Sequence, residues 1–284
     1  MRLLRISTGS LTAMRPPRSP VVSGRRPLQP VVHVSFGTAG FEQSLALLRS
    51  SAEQYGIGDV RLYSADHDVI GRLRRDHPRI MAAPRGAGYW LWKPHVIADT
   101  LATVADGTVV VYTDASVVYG ADPSPILALA RTVPIVTFLN PARNAFQFRY
   151  TKRDCFVLLD ADRPSEWNRW QLDAFAIVFR ACDESRSFVA EWAAACGDER
   201  VLTDAPNACG LPNLDGFVDH RHDQSVLTII AGRRGHRPFP PLKWTPKLPF
   251  ASGHVFYHHR ERTPADGEAF DTRLAALRLG LWPR

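Results

Sequence analysis

The chain has 284 residues, 45% of them hydrophobic and 22% charged, which is the balance of a folded globular protein with one large buried core or two small ones. No apolar run approaches the ~18 residues that cross a bilayer, so any membrane contact is peripheral. The formal net charge is +7, carried mostly by arginine, since lysine occurs only at Lys93, Lys152, Lys243 and Lys247. A basic surface suits nucleic acid, an anionic membrane or anionic substrates, or simply reflects arginine-rich coding. Zinc-finger spacing, an RNP-type aromatic motif and a dense Lys/Arg helix are all missing, which argues against nucleic acid. Cys155, Cys182, Cys196 and Cys209 form no C-x-x-C pair. They read as free thiols of a reducing, cytoplasmic compartment rather than as structural zinc ligands or a secreted disulfide framework.

Residues 1–29 hold six arginines, with prolines and serines and no acid. Such a segment cannot bury enough apolar surface to fold alone and reads as a disordered tail, or alternatively as an organellar transit peptide. Order begins with Val31-Val32-His33-Val34-Ser35-Phe36-Gly37, a strand ending in a small-residue turn. A helix over 41–55 follows, with Phe41, Leu45, Leu48 and Ala52 as its apolar stripe and Gly56 and Gly58 as its stop. A second strand at 60–64 and a helix at 66–75 complete a parallel βαβ pattern.

The next stretch is the densest in chemistry. Gly86 and Gly88 permit close backbone approach or positive φ, and Tyr89, Trp90 and Trp92 crowd aromatic surface into one segment. Lys93-Pro94 opens a helix carrying Val96, Ile97, Leu101 and Val104, with Pro94 at its first position. Val109, Val110 and Val111 are β-branched on both faces and predict a strand buried on both sides. It ends in Tyr112-Thr113-Asp114, which brings a carboxylate to the strand's carboxyl end, where open α/β sheets bind ligands. Capping of a turn is the plainer explanation of such an Asp.

Val117-Val118-Tyr119 precedes a helix opened by Pro123 and Pro125, and 135–138 is the next buried strand. Residues 140–147 form a polar loop. Arg149, Lys152 and Arg153 make either an exposed helix start or an electropositive rim. Gln171 and Asp173 lie on a turn before a core strand reaching Phe179, and a helix over 185–196 turns Phe188, Val189, Trp192 and Ala195 inward. The loop 198–216 is long for a compact domain, as functional or mobile loops are. His222-Asp223-Gln224-Ser225 then leads into a helix, where Asp223 is either a cap or a site residue. His258-His259 and a last helix over 270–279, stopped by Gly280, close the chain.

Tyr89-Trp90-Leu91-Trp92-Lys93-Pro94, a helix, the buried strand ending in Tyr112-Thr113-Asp114-Ala115, and the later His222-Asp223-Gln224-Ser225 together resemble the nucleotide-sugar glycosyltransferases of the GT-A type, over roughly residues 30 to 260. The resemblance implies an α/β fold: a single GT-A-like domain over 30–284, with a Rossmann-like, mainly parallel sheet flanked by helices. It implies a hexosyltransferase that moves a sugar from a nucleotide-diphosphate donor, UDP-linked in the usual case, to a carbohydrate or glycolipid acceptor, as in polysaccharide biosynthesis. By the same resemblance Ser35, Phe36 and Gly37 contact the nucleotide, and Asp114, Lys93, Arg153 and the late histidines serve the diphosphate. Trp92 walls the donor site, Gln224 holds the sugar, and Asp223, Gln171 and Asp173 serve sugar and acceptor. GT-A enzymes usually bind Mg²⁺ or Mn²⁺ through Asp-x-Asp. Here that motif reads Asp114-Ala115-Ser116. Either Asp114 holds the ion with His258 or His259, which favours Mn²⁺, or cations replace it. A nucleotidyltransferase would need a basic Gly-rich loop after the first strand, which Ser35-Phe36-Gly37-Thr38-Ala39-Gly40 lacks. A non-catalytic carbohydrate-binding protein would use the aromatics at 89–92 but leaves the polar residues idle.

Overall fold

The computed structural model describes residues 29–242 and 255–258. The expected tail before residue 29, the last helix over 270–279 with Gly280, and His259 lie outside the described residues. In chain order the elements are β1 (Val31–Phe36), α1 (Glu42–Gln54), β2 (Asp59–Tyr63), α2 (Asp68–Asp76), α3 (Pro78–Met81), α4 (Gly86–Tyr89), α5 (Trp92–Thr103), β3 (Val109–Thr113) and β4 (Val117–Tyr119). Then follow α6 (Ser124–Leu129), β5 (Ile135–Leu139), α7 (Gln147–Tyr150), α8 (Arg153–Leu158), α9 (Pro164–Trp167), β6 (Leu172–Arg180), α10 (Asp183–Cys196), α11 (Glu199–Leu202), α12 (Asp223–Arg233) and β7 (Phe256–His258).

One sheet has the order β2-β1-β3-β6-β5, and β4 pairs with β7 in a separate antiparallel ribbon. β1 is parallel to β2 and β3, while β6 is antiparallel to both β3 and β5. Four strands therefore share one direction and β6 opposes them, so the sheet is mixed and mostly parallel. β3 is its middle strand, buried along its whole length, as three consecutive valines demand.

Alternation along β3 makes two cores. Val110 and Tyr112 pack with α2, α5, α10 and α12 on one face, through Ile70, Ile97, Phe188 and Ile229 among others. Val109 and Val111 pack with α1 and α6 on the other, through Leu48, Ala52 and Ile126. Each such side chain contributes about 1.5–3 kcal/mol on leaving water, which is what holds two helical layers onto one sheet.

Polar links fix the carboxyl end of β3, and with it the position of Asp114. His33 on β1 bonds the Tyr119 hydroxyl through Nδ1 at 2.7 Å and Thr113 Oγ1 through Nε2 at 3.1 Å. Burial pushes His33 down to about 3, so it works as a neutral clip. Ser35 donates to the Thr113 carbonyl at 2.8 Å.

Candidate active site

Four elements deliver the site. Asp114 directly follows β3, the first turn of α5 carries Lys93, the first turn of α12 carries Asp223 and Gln224, and the start of β6 carries Asp173. α5 begins at Trp92, two residues before Pro94, so the proline sits in the first turn, where its missing N–H costs no helical bond.

Lys93 is the centre. Its side chain is 4% exposed, and its ammonium lies 2.8 Å from Asp223 Oδ2, 3.5 Å from Asp114 Oδ1 and 3.2 Å from the Ala174 carbonyl. The Tyr112 hydroxyl donates to the same Asp114 oxygen at 2.7 Å. Burial alone would neutralise Lys93, but the charges of Asp114 and Asp223 outweigh it and hold the lysine above its ordinary value. Asp223 goes the other way. Burial lifts its carboxyl to about 6, against the pull of Lys93 and with the push of Asp114. The two directions agree physically: Lys93 answers to two carboxylates, whereas Asp223 shares one ammonium. The Asp223 contact is an ion pair by distance but not a well-directed hydrogen bond, so the buried Oδ2 has no hydrogen-bond partner among the described residues.

Asp223 does not cap α12. The N-cap is His222, whose side chain makes no capping bond. Asp223 is the first helical residue, favoured there by the helix dipole. Its carbonyl receives the Trp192 indole N–H at 3.0 Å, which anchors the start of α12 to α10.

Two cavities meet at this cluster. The first, about 400 Å³, has Phe36 and Trp92 in ring contact at 4.1 Å, with Gly37, Thr38, Gly86 and Ser116 around them. The second, about 540 Å³, is lined by polar groups including Lys93, Asp173, Asp223, Gln224, Arg221 and Asn140. Trp90, Asp114 and His258 line both and form the divide.

Trp90 reaches the divide through a strained backbone. Gly86, Ala87, Gly88, Tyr89 and Trp90 have consecutive φ values of 59, 50, 95, 52 and 59°. This left-handed turn costs roughly 1–2 kcal/mol at each non-glycine residue. Tyr89 N–H to the Arg85 carbonyl and the Trp92 indole to the Gly86 carbonyl hold it, at 2.8 and 2.9 Å. His222, with φ 49°, stacks its ring 5.0 Å from Tyr89 and 5.5 Å from Trp90. The Asp204 carboxylate bridges His222 Nε2 at 3.0 Å and Arg85 at 3.0 Å, so the long loop straps both strained segments together. A Cβ at Gly86 would run into the Trp90 ring. Gly86→Ala should therefore cost about 1–3 kcal/mol in a urea melt. An unchanged midpoint would mean that Trp90 is not locked by this turn.

Not every expected residue gathers here. Arg153 pairs with Asp162 at 2.9 Å and lies over the Trp167 ring, lining neither cavity. Nor do the cations near it make an electropositive rim or an exposed helix start. Lys152 is buried, bonding the Ala205 carbonyl at 2.6 Å with Asp154 3.6 Å away. It helps fasten the loop after α11. Ser35 turns into the sheet, because strand alternation that sends Phe36 to the cavity sends its neighbour away. Gln171 is buried behind Gln224, accepting its amide N–H at 2.8 Å, and lines a small side cavity instead. Phe36, Gly37, Trp92, Lys93, Asp114, Asp173, Asp223, Gln224 and His258 do line the two cavities. Arg85, Asn140 and Arg221 line the larger one without having stood out in the sequence, where each is a loop residue of no marked spacing.

For a divalent ion, Asp114 and His258 are the pair that the divide offers. Tyr112 occupies one Asp114 oxygen, which leaves the other. No cluster of three or more His, Cys, Asp or Glu exists among the described residues. One carboxylate and one imidazole nevertheless fit an ion that takes its remaining ligands from phosphate and water.

No family model matches the chain, and no curated protein matches it in sequence. Among solved structures it is similar to the bifunctional glycosyltransferase WbbM in its apo form, at 15% identity over 90% of this chain and 50% of that one, with a TM-score of 0.49. It is also similar to the galactosyltransferase LgtC with donor and acceptor sugar analogues, at 12% identity over 86% and 95%, TM-score 0.45. Mouse xyloside xylosyltransferase 1 gives 12% identity over 82% and 99%, TM-score 0.41. The chain spans half the length of WbbM. At these scores the likeness is loose, and what the site can do follows from its own residues.

Proposed function

We propose that the chain is a GT-A-like glycosyltransferase that moves a sugar from a nucleotide-diphosphate donor to a hydroxyl acceptor. The observation that carries this reading is one buried ammonium, Lys93, held between two carboxylates where an aromatic-floored cavity meets a polar one. The nucleoside lies on Phe36 and Trp92, its diphosphate at the divide, and the sugar and acceptor in the larger cavity.

The bond from the sugar's anomeric carbon to the diphosphate breaks, and a bond from the acceptor oxygen to that carbon forms. Lys93 answers the charge growing on the departing diphosphate. Asp223, raised to about 6, is an effective base near neutral pH and takes the acceptor proton. Gln224 and Asp173 hold sugar hydroxyls, and Trp90 closes water out of the divide. Asp114 and His258 would hold Mn²⁺ or Mg²⁺, which when bound supplies further positive charge to the diphosphate. The acceptor is a glycan or glycolipid. No helix among the described residues is long and apolar enough to cross a membrane, so a glycolipid would be met at the membrane surface.

A thermal-shift panel tests the reading. UDP or another nucleoside diphosphate at a hundredfold excess over Kd should stabilise by about 2.7 kcal/mol, or roughly 5–10 °C. Asp114→Ala should lose the Mn²⁺-dependent part of that shift together with transfer. No shift with any nucleoside diphosphate would sink the proposal, and a shift with glycans alone would favour a carbohydrate-binding protein.

A further inference from the structure

Beside the larger cavity lies an annex of about 180 Å³, roughly the size of one monosaccharide, lined by Asn140, Ala142, Ala145, Tyr150, Gln171, Arg221 and Gln224. It shares Asn140, Ala142, Arg221 and Gln224 with the larger cavity and no residue with the aromatic one. The residues shared at the other end are Trp90, Asp114 and His258, a separate set. The three spaces are thus joined in series through the larger cavity, and the annex shares no wall with the aromatic one.

Its wall is built to present one hydrogen-bond acceptor. Ser225 Oγ–H donates to the Tyr150 carbonyl at 2.6 Å, so this hydroxyl oxygen accepts from Gln171 Nε2 at 3.2 Å. That fixes Gln171 with Oε1 outward, where it accepts from Gln224 Nε2 at 2.8 Å. Gln224 is then oriented in turn: its Nε2 is committed to Gln171, which leaves Oε1 as the acceptor of a residue that lines both spaces. Arg221, over the Tyr150 ring at 5.2 Å, and the Asn140 amide, whose Oδ1 accepts from Ala142 N–H, supply donors to the same space. Donors and one oriented acceptor around a ring-sized space are the chemistry of saccharide hydroxyl recognition.

We infer that the annex is a subsite for the second ring of a saccharide acceptor, so that the protein reads at least two sugar units. The inference rests on the glycosyltransferase reading, and its test separates the two. The full chain, with UDP present, is applied to an array of neutral monosaccharides and of disaccharides bearing the same terminal sugars. At least one disaccharide should bind tenfold or more tightly than its terminal monosaccharide. Ala145→Leu fills the annex from a residue outside the larger cavity and should abolish that preference while leaving the UDP thermal shift unchanged. Equal binding of mono- and disaccharides, no array binding, or a preference that survives Ala145→Leu would overturn the subsite. If Ala145→Leu does not fold, the wild-type comparison decides alone. A missing UDP shift would strike the transferase reading, whatever the array shows.

Discussion

Lys93→Met should be the most destabilising single change at the site, costing about 3–5 kcal/mol near neutral pH, because it strips a buried carboxylate of its counter-charge while keeping the side chain's volume. Asp223 is 5% exposed at its side chain and Asp114 is 29% exposed, so the loss falls mainly on Asp223. Its carboxyl already sits at about 6, and without the lysine it rises further. A folded-state value above the unfolded one means that the folded protein binds the proton more tightly. Stability is then greatest with the proton on and is lost as pH rises through the folded value. The Lys93→Met penalty should accordingly be small at pH 5 and full at pH 8 in parallel urea melts. Adding Asp223→Asn to Lys93→Met should recover most of the loss at pH 8. A penalty equal at both pH values, or no recovery in the double variant, would show that Lys93 does not serve as the counter-charge of Asp223.

Asp223→Asn alone should cut turnover by roughly 10²-fold or more without lowering global stability at neutral pH. Asp223 is not the N-cap of α12, and the amide keeps the shape. In the wild type, ionisation of Asp223 works against folding between about pH 4 and 6, at up to about 3 kcal/mol. The variant should lack that falling limb. The wild-type rate should decline below a midpoint near pH 6 as Asp223 takes up its proton, and this acid limb should vanish in the variant's residual activity. Turnover within a few-fold of wild type would remove Asp223 from the proton path and leave it as the partner of Lys93 only.

The sequence by itself determined the elements whose signal is local. Three valines in a row admit little but a buried strand, and β3 is the middle of the sheet. Periodic apolar stripes marked α1, α5 and α10 within a few residues, because burial of one face imposes spacing on the chain itself. Asp114 was legible for the same reason: it follows directly on that strand. The short helices α3, α4, α7, α8, α9 and α11 carry too few turns to leave a periodicity, and β6 running against its neighbours depends on a pairing partner far away in sequence. Only the tertiary structure decided which cation serves which acid. Lys93 and Asp223 stand 130 positions apart yet touch at 2.8 Å, while Arg153, equally basic on paper, is spent on Asp162. It also decided that Asp223 is no cap, that Ser35 faces away from its cavity, and that Gln171 works through Gln224. Residue type sets what a side chain can do. Which partner it finds depends on charges and hydrogen bonds that exist only after distant segments have been packed out of water, where an unpaired group costs too much to be left alone.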